Sequence, residues 1–145
     1  MKILVINGVN LGSLGKRSVE HYGVMTLEQL NSMVRAYIIA KGAKAEFFHS
    51  NYEGAIVDRI EKVDYDGLVI NAGAYSHYSY AIADALESVD VPKVEAHLSD
   101  IMAREAFRRK RIFENVVDGA FWGEKEKSYY KAIDAICVLY TENKK

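Results

Sequence analysis

A three-layer α/β sandwich around a parallel sheet of five strands is the fold class this sequence predicts, and three observations predict it. Short apolar runs such as Lys2 to Asn7 and Gly67 to Asn71 read as strands buried on both faces, because they do not alternate with polar residues. Longer segments with apolar residues at helical spacing lie between such runs, so strand and helix alternate along the chain. The 145 residues are about the size of one domain, half of them hydrophobic and 27% charged, which supplies one core. Residues 1–145 are therefore expected to form a single domain, with any site built on that core or between copies of the chain.

Each element has its own signature. Lys2 to Asn7 is the first strand, ending in Asn-Gly. The first helix runs from Thr26 to about Ala40: Leu27, Leu30, Met33, Val34, Tyr37 and Ile38 share one face, Thr26 and Gln29 form a capping box, and Gly42 closes it. A strand near Lys44 to Phe48, a helix near Gly54 to Val63, a strand at Gly67 to Asn71 and a helix near Tyr78 to Val89 follow. The last strands are expected at Lys93 to Ala96 and, after a basic segment, Asn115 to Phe121, with a final helix from Lys125 to Tyr140. Right-handed crossovers carry the helices over the sheet faces, and the expected strand order is flavodoxin-like, 2-1-3-4-5. In that order the first and third strands are neighbours whose chains leave in opposite directions, and ligands bind beyond the carboxyl ends of the strands at such a switch point. Asn7, Gly8 and Asn10, then Asn71, Gly73 and His77, then Glu95, His97 and Ser99 all converge on that rim.

Composition narrows the partners. Nineteen basic and 20 acidic side chains leave a net charge of −1, so no global field holds a nucleic acid or an anionic membrane. The run Arg108-Arg109-Lys110-Arg111 reads as a solvated edge or an interface with an acidic neighbour rather than a nucleic-acid patch. Cys137 is the lone cysteine, excludes an internal disulfide and sits in an apolar run as a small hydrophobe. The N-terminus has no signal-peptide pattern and no stretch has the length of a membrane span, so a cytoplasmic location is expected. No dinucleotide fingerprint or P-loop is present, and flavin binding rests on fold analogy alone. Tyrosine occurs 10 times, more than a plain core requires.

Two constellations carry chemistry. The connection from Leu11 to Met25 is long for its type and springs from the switch point, so it reads as a lid, the plain alternative being a disordered surface loop. It carries Arg17 and Tyr22, and beside a guanidinium a phenolate is favoured, which suits a tyrosine to act as a base. In VEAHLSD, strand alternation puts Glu95 and His97 on one face, where a carboxylate can fix the imidazole tautomer and make a general acid; the alternative is a structural hydrogen bond. A metal is not expected, because beside Glu95 and His97 only His77 offers a third ligand and no recognisable spacing links them. The amides at Leu98 and Ser99 can receive a carboxylate, and Arg108 can clamp hydroxyls or a carboxylate of a small polar ligand.

Four blocks, ILVINGVNLGSLGKR with HYG, FFHSNYEG, VINAGAYSHYSYAIADAL and VEAHLSDIMAREAFR, resemble in order and spacing the type II 3-dehydroquinate dehydratases of the shikimate and quinate pathways. The resemblance implies a cofactor-free lyase that turns 3-dehydroquinate into 3-dehydroshikimate by anti elimination through an enolate. It implies Tyr22 as the base held by Arg17, Asn10 as the group positioning a water at the enolate oxygen, and His97, oriented by Glu95, as the acid. Asn71, Ser99 and the amides of Leu98 and Ser99 match positions that hold the substrate carboxylate, while His77 and Arg108 match those that grip its ring hydroxyls. Asp84 matches a residue delivered by a neighbouring subunit, and the family assembles as trimers into dodecamers. Departures from the family pattern are Val9 and Ala72 in place of prolines, Asp100 in place of asparagine, Met102 in place of histidine, and the basic run and WGEKEKSYYK beyond Arg108. They raise the alternative of a weakened or inactive family member that serves as a binding or scaffold protein.

Overall fold

The computed structural model describes residues 1–16 and 18–145. Five parallel strands, β1 (Lys2–Asn7), β2 (Lys44–His49), β3 (Gly67–Asn71), β4 (Lys93–Ala96) and β5 (Gly119–Phe121), form one sheet in the order β2-β1-β3-β4-β5. The helices are α1 (Val19–Tyr22), α2 (Leu27–Ala40), α3 (Glu53–Glu61), α4 (Tyr80–Ser88) and α5 (Glu126–Asn143). The capping box predicted at Thr26 and Gln29 is made in both directions, and it starts α2 where the sequence places it.

Alternation along the buried strands distributes their side chains between two cores. Ile3, Val5, Val69 and Val94 pack with Leu30, Val34 and Ile38 of α2 and with Tyr129, Ile133 and Ile136 of α5. Leu4, Ile6, Leu68 and Ile70 face the other way, against Ile56 and Ile60 of α3 and Ile82 and Leu86 of α4. Sheet and flanking helix pairs make the three layers. Because α2 follows β1 on one face while α4 follows β3 on the other, the β1/β3 boundary is the switch point, and their register sets Asn7 beside Asn71 at its rim.

One expectation changes. The last strand is Gly119–Phe121 rather than Asn115 to Phe121. Its partner β4 offers only four residues, paired as Val94↔Gly119, Glu95↔Ala120 and Ala96↔Phe121, and the amides of Val116 and Val117 turn back to the Phe113 carbonyl instead. In the Leu11 to Met25 connection, where a lid is expected, the described residues form a 3₁₀ turn at Leu11–Ser13 and the one-turn helix α1, and Leu11, Leu14 and Tyr22 are buried in the α2/α5 core.

Candidate active site

Two interlocked turns shape the floor of the rim. A Cβ on Gly8 would lie 2.6 Å from the Ala72 carbonyl oxygen, and one on Gly73, whose φ is 63°, would lie 2.5 Å from the Val9 carbonyl oxygen. Only glycine permits this approach of the chains leaving β1 and β3. Asn10 takes a left-handed φ of 68° at the same place, its amide donating to Asn51 Oδ1 at 2.9 Å, and its side chain borders the cavity above.

That cavity measures about 100 Å³, room for one small ring and far below the size of a flavin site. Asn10 and Tyr22 border it from the first connection, Asn71 and His77 from the end of β3, and His97, Leu98, Ser99 and Arg108 from the end of β4. Eight of the predicted site residues therefore meet. Glu95 lies behind His97, fully buried. Asp84 is exposed on α4 and does not border the cavity of its own chain. Arg17 lies outside the described residues.

The acid pair is made as strand alternation predicts. His97 Nε2 meets Glu95 Oε1 at 2.7 Å; against an ionised carboxylate this nitrogen donates, leaving Nδ1 free. Arg111 donates to the other carboxylate oxygen, Oε2, from Nη2 at 2.9 Å and from Nε at 3.2 Å. Burial raises the Glu95 carboxyl, but the hydrogen bond and charge of His97 and the charge of Arg111 outweigh it and hold the group below the usual carboxylate range. Next to His97, the ring of His77 stacks with centroids 6.3 Å apart. His77 Nδ1 faces the Lys110 carbonyl at 2.8 Å, so it carries the hydrogen and Nε2 is the acceptor. Burial lowers its pKa, and the nearby positive charges of His97 and Arg108 add to that, so His77 stays neutral.

Tyr22, which borders the same cavity, is 8% exposed, and its hydroxyl accepts from Arg104 Nη1 at 2.6 Å; the guanidinium also lies 5.1 Å from the ring centroid. Arg104 Nη1 reaches Ser99 Oγ as well, at 3.3 Å. Its Nε is buried and 3.7 Å from Glu105 Oε2, too long for a hydrogen bond, so it remains a donor without a partner among the described residues. Between the two walls, the turn after β4 is held by its carbonyls: Lys125 N–H donates to Leu98 O and Gly123 N–H to Ser99 O, at 3.1 and 3.0 Å. No described backbone acceptor takes the amides of Leu98 and Ser99, which leaves two adjacent donors for an anion.

Beneath the floor, the Tyr129 hydroxyl donates to Asn7 Oδ1 at 2.6 Å and accepts from Asn71 Nδ2 at 2.9 Å. Asn71 Oδ1 accepts from Gly73 N–H at 3.1 Å, so the Asn71 amide is fixed in orientation with one Nδ2 hydrogen left over. Burial pushes the Tyr129 phenol far up, and it stays neutral.

A family model described as "Dehydroquinase class II" matches residues 1–137. The chain belongs to the class II dehydroquinases. It is 48% identical over 145 residues to the 3-dehydroquinate dehydratase of Thermotoga neapolitana, covering 100% of both chains. To the catabolic 3-dehydroquinase of Penicillium rubens it is 45% identical, covering 99% of this chain and 94% of that one. Among solved structures, the type II dehydroquinase of Butyrivibrio crossotus superposes with a TM-score of 0.92 at 46% identity, over 94% of this chain and 97% of that one.

Within this family the departures noted in the sequence leave the cavity walls complete. Val9 and Ala72 sit in the interlocked turns, and Asp100 caps the next turn by accepting from Met102 N–H at 3.1 Å. The basic run is not a plain solvated edge: Arg109 and Lys110 are exposed, but the side chains of Arg108 and Arg111 are only 18% and 11% exposed and turn inward. Arg104, Arg111 and Tyr129 are the residues that sequence reasoning missed. Each acts across 16 or more positions of chain in at least one of its contacts, and nothing local in the sequence marks such a partner.

Proposed function

We propose that this dehydroquinase removes water from 3-dehydroquinate to give 3-dehydroshikimate, with Tyr22 as base and His97 as acid on the border of one cavity. The observation that carries the reading is the pairing of a phenol oxygen against a guanidinium on one wall with an imidazole against a buried carboxylate on the other. Tyr22, as phenolate, takes the proton from the carbon beside the ketone, and the guanidinium of Arg104 offsets the negative charge on its oxygen. The electrons pass to the ketone oxygen as an enolate, which a water held by Asn10 stabilises. When the enolate collapses, the carbon–oxygen bond of the hydroxyl beside the carboxylate breaks, and His97 supplies the proton with which it leaves as water. In this reading the proton and the hydroxyl leave in an anti elimination.

The remaining groups have matching tasks in this reading. The amides of Leu98 and Ser99, the spare hydrogen of Asn71 Nδ2 and the Ser99 hydroxyl receive the substrate carboxylate. Neutral His77 accepts a ring hydroxyl at Nε2, and Arg108, whose Nε is taken by Glu105 Oε2 at 2.7 Å, offers its outer nitrogens. Arg17, outside the described residues, has in this reading the task of favouring the phenolate, and Asp84 enters the site of a neighbouring subunit in a trimer-based dodecamer. The test is direct: near-ultraviolet absorbance of the conjugated enone should grow on mixing the protein with 3-dehydroquinate. Saturable binding without product, across neutral to alkaline pH, would instead establish the non-catalytic alternative.

A further inference from the structure

The proposed function assigns no role to the segment from Arg109 to Trp122, which includes the basic residues that depart from the pattern of the family resemblance. Between the last 3₁₀ turn, Ala106–Arg109, and β5, the chain passes close behind the acid pair and is tied there at both sides of Arg111. Lys110 O accepts from His77, and Ile112 N–H donates to Ser76 O at 3.1 Å. Arg111 therefore leaves a pinned backbone, and its guanidinium lies 5.3 Å from the Trp122 ring. From there it makes two hydrogen bonds to one oxygen of a carboxylate with no exposure to water. Trp122 itself follows Phe121, whose carbonyl accepts from the His97 amide at 2.9 Å.

We propose that Arg111 is a positioning residue of the reaction: by gripping Glu95 Oε2 it aims Oε1 at His97 and takes up part of the carboxylate charge, so that the protonated imidazole releases its proton more readily. This rests on the reading of His97 as the acid. The physical argument is one of shared charge. A lone buried carboxylate facing His97 would hold the imidazolium tightly and make it a reluctant donor; a second cation on the same carboxylate weakens that hold. The other charged or titratable groups around His97 are His77 from the turn after β3, Arg104 and Arg108 from the segment after β4, and Tyr22 from the first connection. None of these has a hydrogen bond to Glu95 among the described residues, so Arg111 is the cation that acts through it.

The test compares Arg111→Met, Arg111→Gln and Arg111→Lys with the unaltered protein, by kinetics on 3-dehydroquinate against pH and by histidine imidazole titration followed by NMR. Loss of the charge should lower kcat about tenfold while KM stays within about threefold. The alkaline limb of kcat and the His97 titration should both move to higher pH. Arg111→Lys, which keeps the charge, should return kcat to within about threefold of the unaltered protein and leave the titration in place. Arg111→Gln keeps a donor to Glu95 and serves if the methionine variant does not fold. An unmoved His97 titration in the neutral variants, or a raised KM with unchanged kcat, overturns the proposal. If the unaltered protein forms no enone, the functional reading fails by itself, and the NMR titration still decides whether Arg111 acts on His97.

Discussion

The two walls of the cavity are built by different means. On the acid side, Glu95 and His97 are two residues apart at the end of one strand, and the sheet alone brings them together. On the base side, Tyr22 sits on a one-turn helix in a connection, and a guanidinium that meets its oxygen comes from Arg104, 82 residues along the chain. In the proposed mechanism the acid is thus set by secondary structure and held through Arg111, whereas the base is set by tertiary contact.

The largest effect is expected where the base wall is broken. Tyr22→Phe keeps the ring in the α2/α5 core and removes only the oxygen that faces Arg104. Steady-state kinetics should show kcat down by about 10²–10⁴-fold. Binding of a carboxylate-bearing product should change only a few-fold, because the carboxylate donors lie at Leu98 and Ser99. Retained turnover would remove Tyr22 from the chemistry.

Next comes the acid wall, where the cost falls on the fold as well. Glu95→Gln leaves the Arg111 charge packed against a neutral amide, and losing one partner of a buried pair typically costs about 3–5 kcal/mol. Urea unfolding at neutral pH measures it. The pH dependence has a definite sign. Glu95 is held below its ordinary range in the folded state, so its contribution is complete above the unfolded carboxylate value of about 4.3 and is lost as pH falls through the lower, folded value. The unaltered protein should therefore lose stability in acid by more than Glu95→Gln does. Equal acid slopes for the two proteins would show that Glu95 carries no such linkage.

The contrast between the walls also explains what was legible in the sequence. Strand order, the capping box at Thr26 and the Glu95–His97 pair follow from local periodicity, and each is found where local rules put it. Asn115 to Val117 looked like strand because β-branched residues favour it, but β4 is too short to pair with them. Within the basic run composition cannot say which guanidinium turns inward: Arg109 faces water while Arg111, two residues on, reaches a buried carboxylate. Arg104 and Tyr129 went unnoticed for the same reason, their partners being set by how elements dock.

A smaller effect is expected beneath the floor that joins the walls. Tyr129→Phe preserves the packing of α5 but deprives Asn7 Oδ1 of its donor and Asn71 Nδ2 of its acceptor. Leaving such buried groups unpaired typically costs about 1–3 kcal/mol, measurable by denaturant midpoint. Asn71 would lose its fixed orientation while Tyr22 and His97 keep theirs. KM should rise a few-fold with kcat nearly held, and a variant that lowers kcat alone would place Tyr129 closer to the chemistry than the floor.

The smallest effect is a gain, at one of the two positions where the family resemblance leads one to expect proline. Ala72 has a φ of −76°, close to the proline value, and its neighbour Asn71 is extended at the end of β3, the conformation that proline demands of the residue before it. Its amide donates to no backbone acceptor among the described residues, so Ala72→Pro removes no such bond. The close approach from Gly8 meets the carbonyl oxygen, carbonyl carbon and Cα of Ala72, atoms that proline shares with alanine. Stiffening the unfolded chain at a compatible site should then add about 0.4–1 kcal/mol, read as a rise in Tm with kcat unchanged. If Ala72→Pro lowers Tm instead, the interlocked turns depend on the slack that alanine leaves, and the floor is adaptable in a way that its fixed Asn71 does not suggest.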